Sequence, residues 1–257
     1  MVSSVAQNKE AILQASEERS LKADAVPFFY ALHPTMNCNM RCIMCRPDGR
    51  HPASTLPFDQ MAALLAQFQP FAECITLTGG EPLLYPWIDD VVELLARSRV
   101  SVSITTNASL LTKDRGNKLI RLTQLDLKCS IDAATAPTYH KIRGVDQFAR
   151  VLANLMTFAT LARDQPHIRL ILVYVVMREN LGEVLDFVDL ARGLNPYRIE
   201  FHPVRHVVDW IVDNGTGWVF RGVEQCCEFL RHEYDKVMDQ AAAMCREEGL
   251  RCETLRV

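Results

Sequence analysis

Six times along the chain, a short run rich in β-branched and aromatic residues ends in a turn and gives way to helical spacing. FFYALH (28–33) leads through a cysteine-bearing loop to a helix over 58–69. ECITLT (73–78) leads to GGEP and a helix over 87–98, and VSVSITT (100–106) to one over 113–123. LDLKCSID (125–132) precedes a helix over 146–163, and IRLILVYVVM (168–177) one over 181–193. YRIEFH (197–202) is followed by a longer loop and a helix over 222–248. Such alternation predicts a parallel sheet with helices outside it.

Strand parity carries a second message, because successive side chains face opposite sides. Ile75 and Leu77 oppose Thr76 and Thr78; Val100, Val102 and Ile104 oppose Ser101, Ser103 and Thr105. Leu127, Cys129 and Ile131 oppose Lys128, Ser130 and Asp132, and Ile199 and Phe201 oppose Arg198, Glu200 and His202. The apolar faces must meet the helices, so the polar faces meet each other. A closed eight-stranded barrel is filled with branched apolar residues, and a doubly wound sheet is apolar on both faces. The pattern instead predicts an incomplete (β/α)6 TIM-like barrel with a polar lumen and its chemistry at the carboxyl ends of the strands. Parity aims Lys128, Asp132 and Glu200 into that lumen, as candidates for substrate contact or proton transfer. The alternative for these three is a structural, salt-linked role.

The 257 residues suffice for one sizeable core. We expect a polar helix or lead-in over 1–25, the barrel over 26–205, and a loop and helix that complete or cap it over 206–257. A net charge of −3 gives no sign of a nucleic acid or an anionic membrane as partner. LILVYVV (170–176), the longest apolar run, is too short to span a bilayer. Nine unevenly spaced cysteines and no apolar export signal fit a reducing cytoplasm better than a disulfide framework.

Three of those cysteines, Cys38, Cys42 and Cys45, fall within the eight residues CNMRCIMC. Three neighbouring thiolates suit a soft metal or an iron–sulfur cluster. Zinc would take a fourth ligand, and His33 and His51 flank the loop. A ferredoxin-type cluster would take a fourth cysteine, but the next one, Cys74, lies inside a strand signal. A cube with three protein ligands leaves one iron open, as a catalytic site does.

The C-x3-C-x2-C loop after a first strand resembles the signature of the radical S-adenosylmethionine (radical SAM) superfamily. TGGEPLL (78–84), TTNASLLT (105–112), CSID (129–132) and HKIRG (140–144) follow at the spacing of that family's further motifs. The resemblance covers residues 28–205 and looks closest to the SPASM/twitch-type branch of peptide-modifying enzymes, sulfatase maturases and the molybdenum-cofactor cyclase. Many of those carry a C-terminal extension with auxiliary clusters, which is not evident in this sequence. It implies that Cys38, Cys42 and Cys45 hold a [4Fe–4S] cluster whose open iron is chelated by SAM. One electron, from a donor such as flavodoxin or ferredoxin, then cleaves SAM to a 5′-deoxyadenosyl radical that abstracts a substrate hydrogen atom. It further implies SAM contacts at Gly79, Gly80, Glu81, Asn107, Ser130, Arg143 and His202. Glu81 would meet the methionine ammonium and Arg143 the methionine carboxylate. Met44 stands where the family usually has an aromatic residue near the adenine, and it is polarizable enough to fill that space. A peptide is the first expectation for the substrate and a small metabolite, such as a sugar or nucleoside, the second. A non-enzymatic metal-binding module is the rival from another class.

Four late cysteines, Cys226, Cys227, Cys245 and Cys252, raise the prospect of a second cluster. Apolar residues recur at helical spacing from Val223 to Cys245, and Gly249 reads as a stop. On one helix Cys227 and Cys245 would lie roughly 27 Å apart, at about 1.5 Å per residue, and could not share a cluster. The segment over 205–220, with Trp210, Trp218 and Phe220 around DNGTG, is expected to cover the active site or cap the barrel.

Overall fold

The computed structural model describes residues 5–20, 22, 24–45, 53–205 and 209–257. His51 and Pro47 lie outside the described residues. Helix α1 (Val5–Glu17) precedes strand β1 (Phe29–Thr35), and Asn8 clamps both the N–H and the carbonyl of Val26 to dock it. Helix α2 (Phe58–Phe68), strand β2 (Cys74–Gly79), α3 (Ile88–Ala96), β3 (Ser101–Thr106), α4 (Lys113–Leu119) and β4 (Leu125–Ser130) follow in turn. Two helices, α5 (Ala136–Arg143) and α6 (Phe148–Ala162), separate β4 from β5 (Ile168–Val176). Helix α7 (Val184–Leu194) leads to β6 (Arg198–Pro203), and a hairpin of β7 (Ile211–Asp213) and β8 (Val219–Arg221) comes next. The chain closes with α8 (Gly222–Gln225), α9 (Arg231–Glu247) and β9 (Cys252–Thr254).

Seven of the strands form one parallel sheet in the order β1-β2-β3-β4-β5-β6-β9, and β7 and β8 pair with each other, antiparallel. This is the incomplete barrel the alternation predicts, with one strand more. Residues 252–254 pair with β6, so the C-terminal segment extends the sheet itself. Ile75, Leu77, Ile104, Leu127 and Phe201 are fully buried against the helices, each burial contributing about 1.5–3 kcal/mol. On α6, Val151, Leu155 and Phe158 supply the matching stripe at helical spacing.

The opposite face is the lumen, and the register stacks it in layers. Ser103, Asp126 and Arg169 share one layer; Thr105, Lys128, Ile171 and Arg198 the next; Ser130, Val173 and Glu200 the third. Hydroxyls dominate the β2 and β3 side and charges the β4 and β6 side, while β5 inserts an apolar stripe between Lys128 and Glu200.

Two expectations need correction. The helix over 222–248 is broken: Cys226 is extended (φ −68°, ψ 127°), and a single 3-10 turn over Cys227–Leu230 separates α8 from α9. The cause is tertiary, because the Cys227 N–H is taken by the Val204 carbonyl at the exit of β6. The second concerns Asp132, which sits just past β4 at φ +63° and is fully buried, so strand parity does not carry through to it.

Candidate active site

The cysteine loop is built by its neighbours. A helix leaves its last carbonyls without internal partners, and α5 gives two of them to this loop. The Arg41 N–H donates to Arg143 O (3.0 Å) and the Ile43 N–H to Ile142 O (2.9 Å). Gly144 ends α5 at φ +71°, and a Cβ there would stand 2.8 Å from Arg41 O. From the other side, the Gly80 N–H donates to Thr35 O (3.0 Å) and the Glu81 N–H to Asn37 O (2.8 Å). The GGEP corner is therefore zipped to the start of the loop.

Between these walls lies a cavity of about 270 Å³, lined by Cys38, Cys42, Cys45, Met40, Arg41, Gly79 and Gly80. Its last side is the hairpin tip, Val212, Asp213, Asn214 and Gly215. Asn214 Nδ2 donates to Lys141 O (3.0 Å), and the Lys141 ammonium lies 4.5 Å from the Trp218 ring centroid. The hairpin thus covers the cysteine loop rather than the barrel bottom. Strand parity could not have singled out Met40, Arg41 or the tip residues, because none lies on a barrel strand.

The chemistry of this lining fits a cluster with an open position. Three thiols face one cavity beside two glycines, where backbone can approach a ligand closely. A hydrogen bond from Cys45 and the nearby Arg143 guanidinium hold the Cys42 thiol down, at about 6, against the effect of burial. That favours the thiolate, the form that binds metal. His33, on β1, is not part of the lining, and no group of three His, Cys, Asp or Glu is set around a single ion among the described residues.

The remaining expected contacts divide into three groups. Glu81 and Asn107 stand behind the wall. The Glu81 carboxylate is buried, its Oε1 accepting from Leu83 N–H (2.9 Å) and Thr106 Oγ1 (2.6 Å) and its Oε2 from Asn107 N–H (2.7 Å). Burial raises its pKa, and these bonds oppose the rise. The Asn107 amide donates to Asn39 Oδ1 (2.9 Å) and accepts from Ser109, tying the cysteine loop to β3. Met44 packs on the small apolar cluster of Ile43, Ile142, Met177, Val204, Val212 and Phe220 under the hairpin.

Ser130 and His202 form the second group, at the carboxyl ends of β4 and β6. The Ser130 hydroxyl, half-buried, makes no hydrogen bond among the described residues. His202 Nε2 lies 3.2 Å from Glu200 Oε2. Glu200 also receives Lys128 Nζ (3.1 Å) and Arg198. Burial alone would raise the Glu200 pKa, but His202, Arg198 and Lys128 hold it down, at about 2. A carboxylate depressed in the fold stabilises it above its unfolded pKa, near 4.3, and loses that contribution as pH falls through the folded value. We expect Glu200→Gln to cost about 2 kcal/mol at pH 7 and almost nothing at pH 2, read from urea midpoints at the two pH values.

Asp132 and Arg143 are the third group. Their side chains meet at 2.6 Å, both buried, and neither lines the cavity. Asp132 also accepts from Val175 N–H (2.7 Å).

Among curated proteins, a probable GTP 3′,8-cyclase of Saccharolobus solfataricus is 34% identical over 177 residues, covering 66% of this chain and 56% of that protein. The chain spans about half the length of the curated relatives it matches. Among solved structures, Streptococcus suis SuiB bound to S-adenosylmethionine superposes with a TM-score of 0.73 at 17% identity, over 96% of this chain and 54% of that one. The anSMEcpe structure with bound AdoMet and the Cp18Cys peptide gives 0.67 at 15% identity, over 89% and 63%. At such identities these two speak for the fold. The family model described as the radical SAM superfamily matches residues 32–191. The chain belongs to the radical SAM superfamily, enzymes whose cofactors are a [4Fe–4S] cluster and SAM.

Proposed function

We propose that this enzyme binds a [4Fe–4S] cluster through Cys38, Cys42 and Cys45 and seats SAM over Gly79 and Gly80. The carrying observation is that all three cysteines and both glycines line one cavity at the carboxyl ends of the barrel strands. A cluster held by Cys38, Cys42 and Cys45 would supply one-electron reduction of SAM, the chemistry by which a hydrogen atom could be removed from the substrate. The protein's own residues orient and shield. Glu81 and Asn107 fix the wall, Ser130 and His202 offer polar contacts at its rim, and the hairpin excludes water.

The substrate sits in the lumen below, against Lys128, Glu200 and His202. A peptide substrate is supported by SuiB, whose fold is shared and which was also solved bound to precursor peptide SuiA. A nucleotide-like small molecule is supported by the higher identity to proteins named GTP 3′,8-cyclase. On this reading residues 26–205 form the reaction barrel, residues 206–257 complete and cover it, and 1–25 precede it. A flavodoxin- or ferredoxin-like protein donates the electron. Nine unevenly spaced cysteines suit a reducing cytoplasm.

The test is anaerobic. Protein reconstituted with iron and sulfide, reduced and given SAM is expected to hold about four irons and to release 5′-deoxyadenosine. Adding GTP or candidate peptides should raise that yield for the true substrate class. Stoichiometric zinc, no iron and no 5′-deoxyadenosine would overturn the proposal.

A further inference from the structure

Two of the late cysteines meet where the last helix hands the chain to the last strand. Cys245 lies on the buried face of α9, in line with Tyr234, Met238 and Ala241 at helical spacing. Cys252 opens β9 opposite Ile199 of β6, so it shares the helix-facing side of the sheet. There it packs against the core cluster that contains Cys245, and the two side chains are hydrogen-bonded to each other. The turn between them is tight. Gly249 takes φ +69°, and the Leu250 N–H donates back to Cys245 O (2.7 Å), the bond that closes a helix ending in a left-handed glycine.

Cys245 is buried and Cys252 partly exposed, so a small oxidant reaches the pair from the Cys252 side. The bond from Cys252 lowers the Cys245 pKa; burial opposes this, and the Arg246 charge assists it. That favours the thiolate at Cys245, the form that reacts in thiol oxidation and exchange. Cys226 and Cys227, although adjacent in sequence, bond to the carbonyls of Val204 and Val176. The strand that carries Cys252 is also the least held of the sheet. It stands last in the order and pairs with β6 through only three residues. Glu253, next to Cys252, pairs in register with Glu200, and its Oε2 lies 3.6 Å from Arg198 Nε. Fixing β9 therefore fixes one edge of the lumen.

We propose that Cys245 and Cys252 are an oxidation site at which a peroxide closes a reversible disulfide, stapling β9 to α9. One sulfur takes an oxygen from hydrogen peroxide, becoming a sulfenic acid as water leaves. The other sulfur attacks it, the S–S bond forms and a second water leaves. Two electrons pass from the thiols to the peroxide, and both thiol protons end in water. A dithiol reverses the step by exchange. The closed loop spans residues 245–252, and it constrains the unfolded chain more than the folded one, so the oxidised protein is the more stable. This inference is independent of the reading of Cys38, Cys42 and Cys45 as cluster ligands.

The experiment treats the full chain, its thiols first reduced, with hydrogen peroxide and compares it with Cys252→Ser treated in the same way. Free thiols are then alkylated, and the protein is digested with trypsin without reduction and mapped by mass spectrometry. Trypsin releases Cys245 and Cys252 in separate peptides, residues 237–246 and 252–256. These two should be found joined in most of the wild-type protein, separate after dithiothreitol, and never joined in the variant. Oxidation should also raise the wild-type melting temperature, relative to the shift in Cys252→Ser, by about 4 °C or more. The variant removes any contribution from oxidation of the other seven cysteines. Peptides that stay separate, Cys252 joined to another cysteine instead, or a joined protein without that rise in melting temperature would overturn the proposal.

Discussion

Alanine at Cys45 should leave the melting temperature of the protein where it was and abolish both iron uptake and SAM cleavage. Cys45 is exposed at the rim of the cavity, and its backbone bond to Cys42 O (3.2 Å) survives the substitution. Exposed substitutions of this kind cost within about 0.5 kcal/mol. A cluster held by three ligands has none to spare, so the functional loss is complete. Cys42→Ala should lose the same function at a greater structural cost, about 1–2 kcal/mol, because Arg143 loses an acceptor in a buried place. The other cysteines give the control. Cys227 Sγ donates to Val176 O (3.0 Å), and Cys245 hydrogen-bonds Cys252 between α9 and β9. Cys252→Ser should therefore load iron and release 5′-deoxyadenosine like the wild type. Iron counts, product chromatography and melting curves on the same samples check all three variants. A Cys45→Ala protein with wild-type iron would remove Cys45 from the ligand set.

Strand parity was legible because it depends only on the backbone. Thr76, Lys128 and Glu200 fall where alternation aims them, and their apolar neighbours are fully buried. What failed were places where a tertiary partner overrides the local pattern. Asp132 continues the alternation of β4 in sequence, but its carboxylate is claimed by Val175 and Arg143, and the backbone flips to deliver it. Val223 belongs to the helical stripe in sequence yet is exposed, because Cys227 leaves that helix to bond β6. Helix α5 was missed for another reason. Its punctuation is in the sequence: Thr135 caps it, Pro137 opens it and Gly144 closes it. Its apolar periodicity is weak, so helical spacing alone does not reveal it. That helix supplies the carbonyls holding the cysteine loop, so the motif was visible and its scaffold was not. The hairpin tip was foreseen only as a segment, since Asn214 and Gly215 act through loop geometry that no spacing rule encodes.

Gly80→Ala is expected to be the most damaging single-methyl change in the protein, costing about 3 kcal/mol and nearly all SAM cleavage. The added Cβ would sit 2.2 Å from Asn37 O and 2.6 Å from the Met36 carbonyl. Both obstacles are backbone, so no side chain can swing aside, and the zipper between the GGEP corner and the cysteine loop must open. Gly193, inside α7, marks the opposite extreme. A Cβ there meets nothing within 4 Å, so Gly193→Ala should raise stability by about 0.5–1 kcal/mol through helix propensity. Urea midpoints with unchanged slope would measure both. At Gly80 the stability and the activity should fall together, because the contact that closes the corner is also the wall against which the cofactor must lie. A Gly80→Ala protein as stable as the wild type would show that the corner relaxes freely, and the glycine would then have no steric reason to be there.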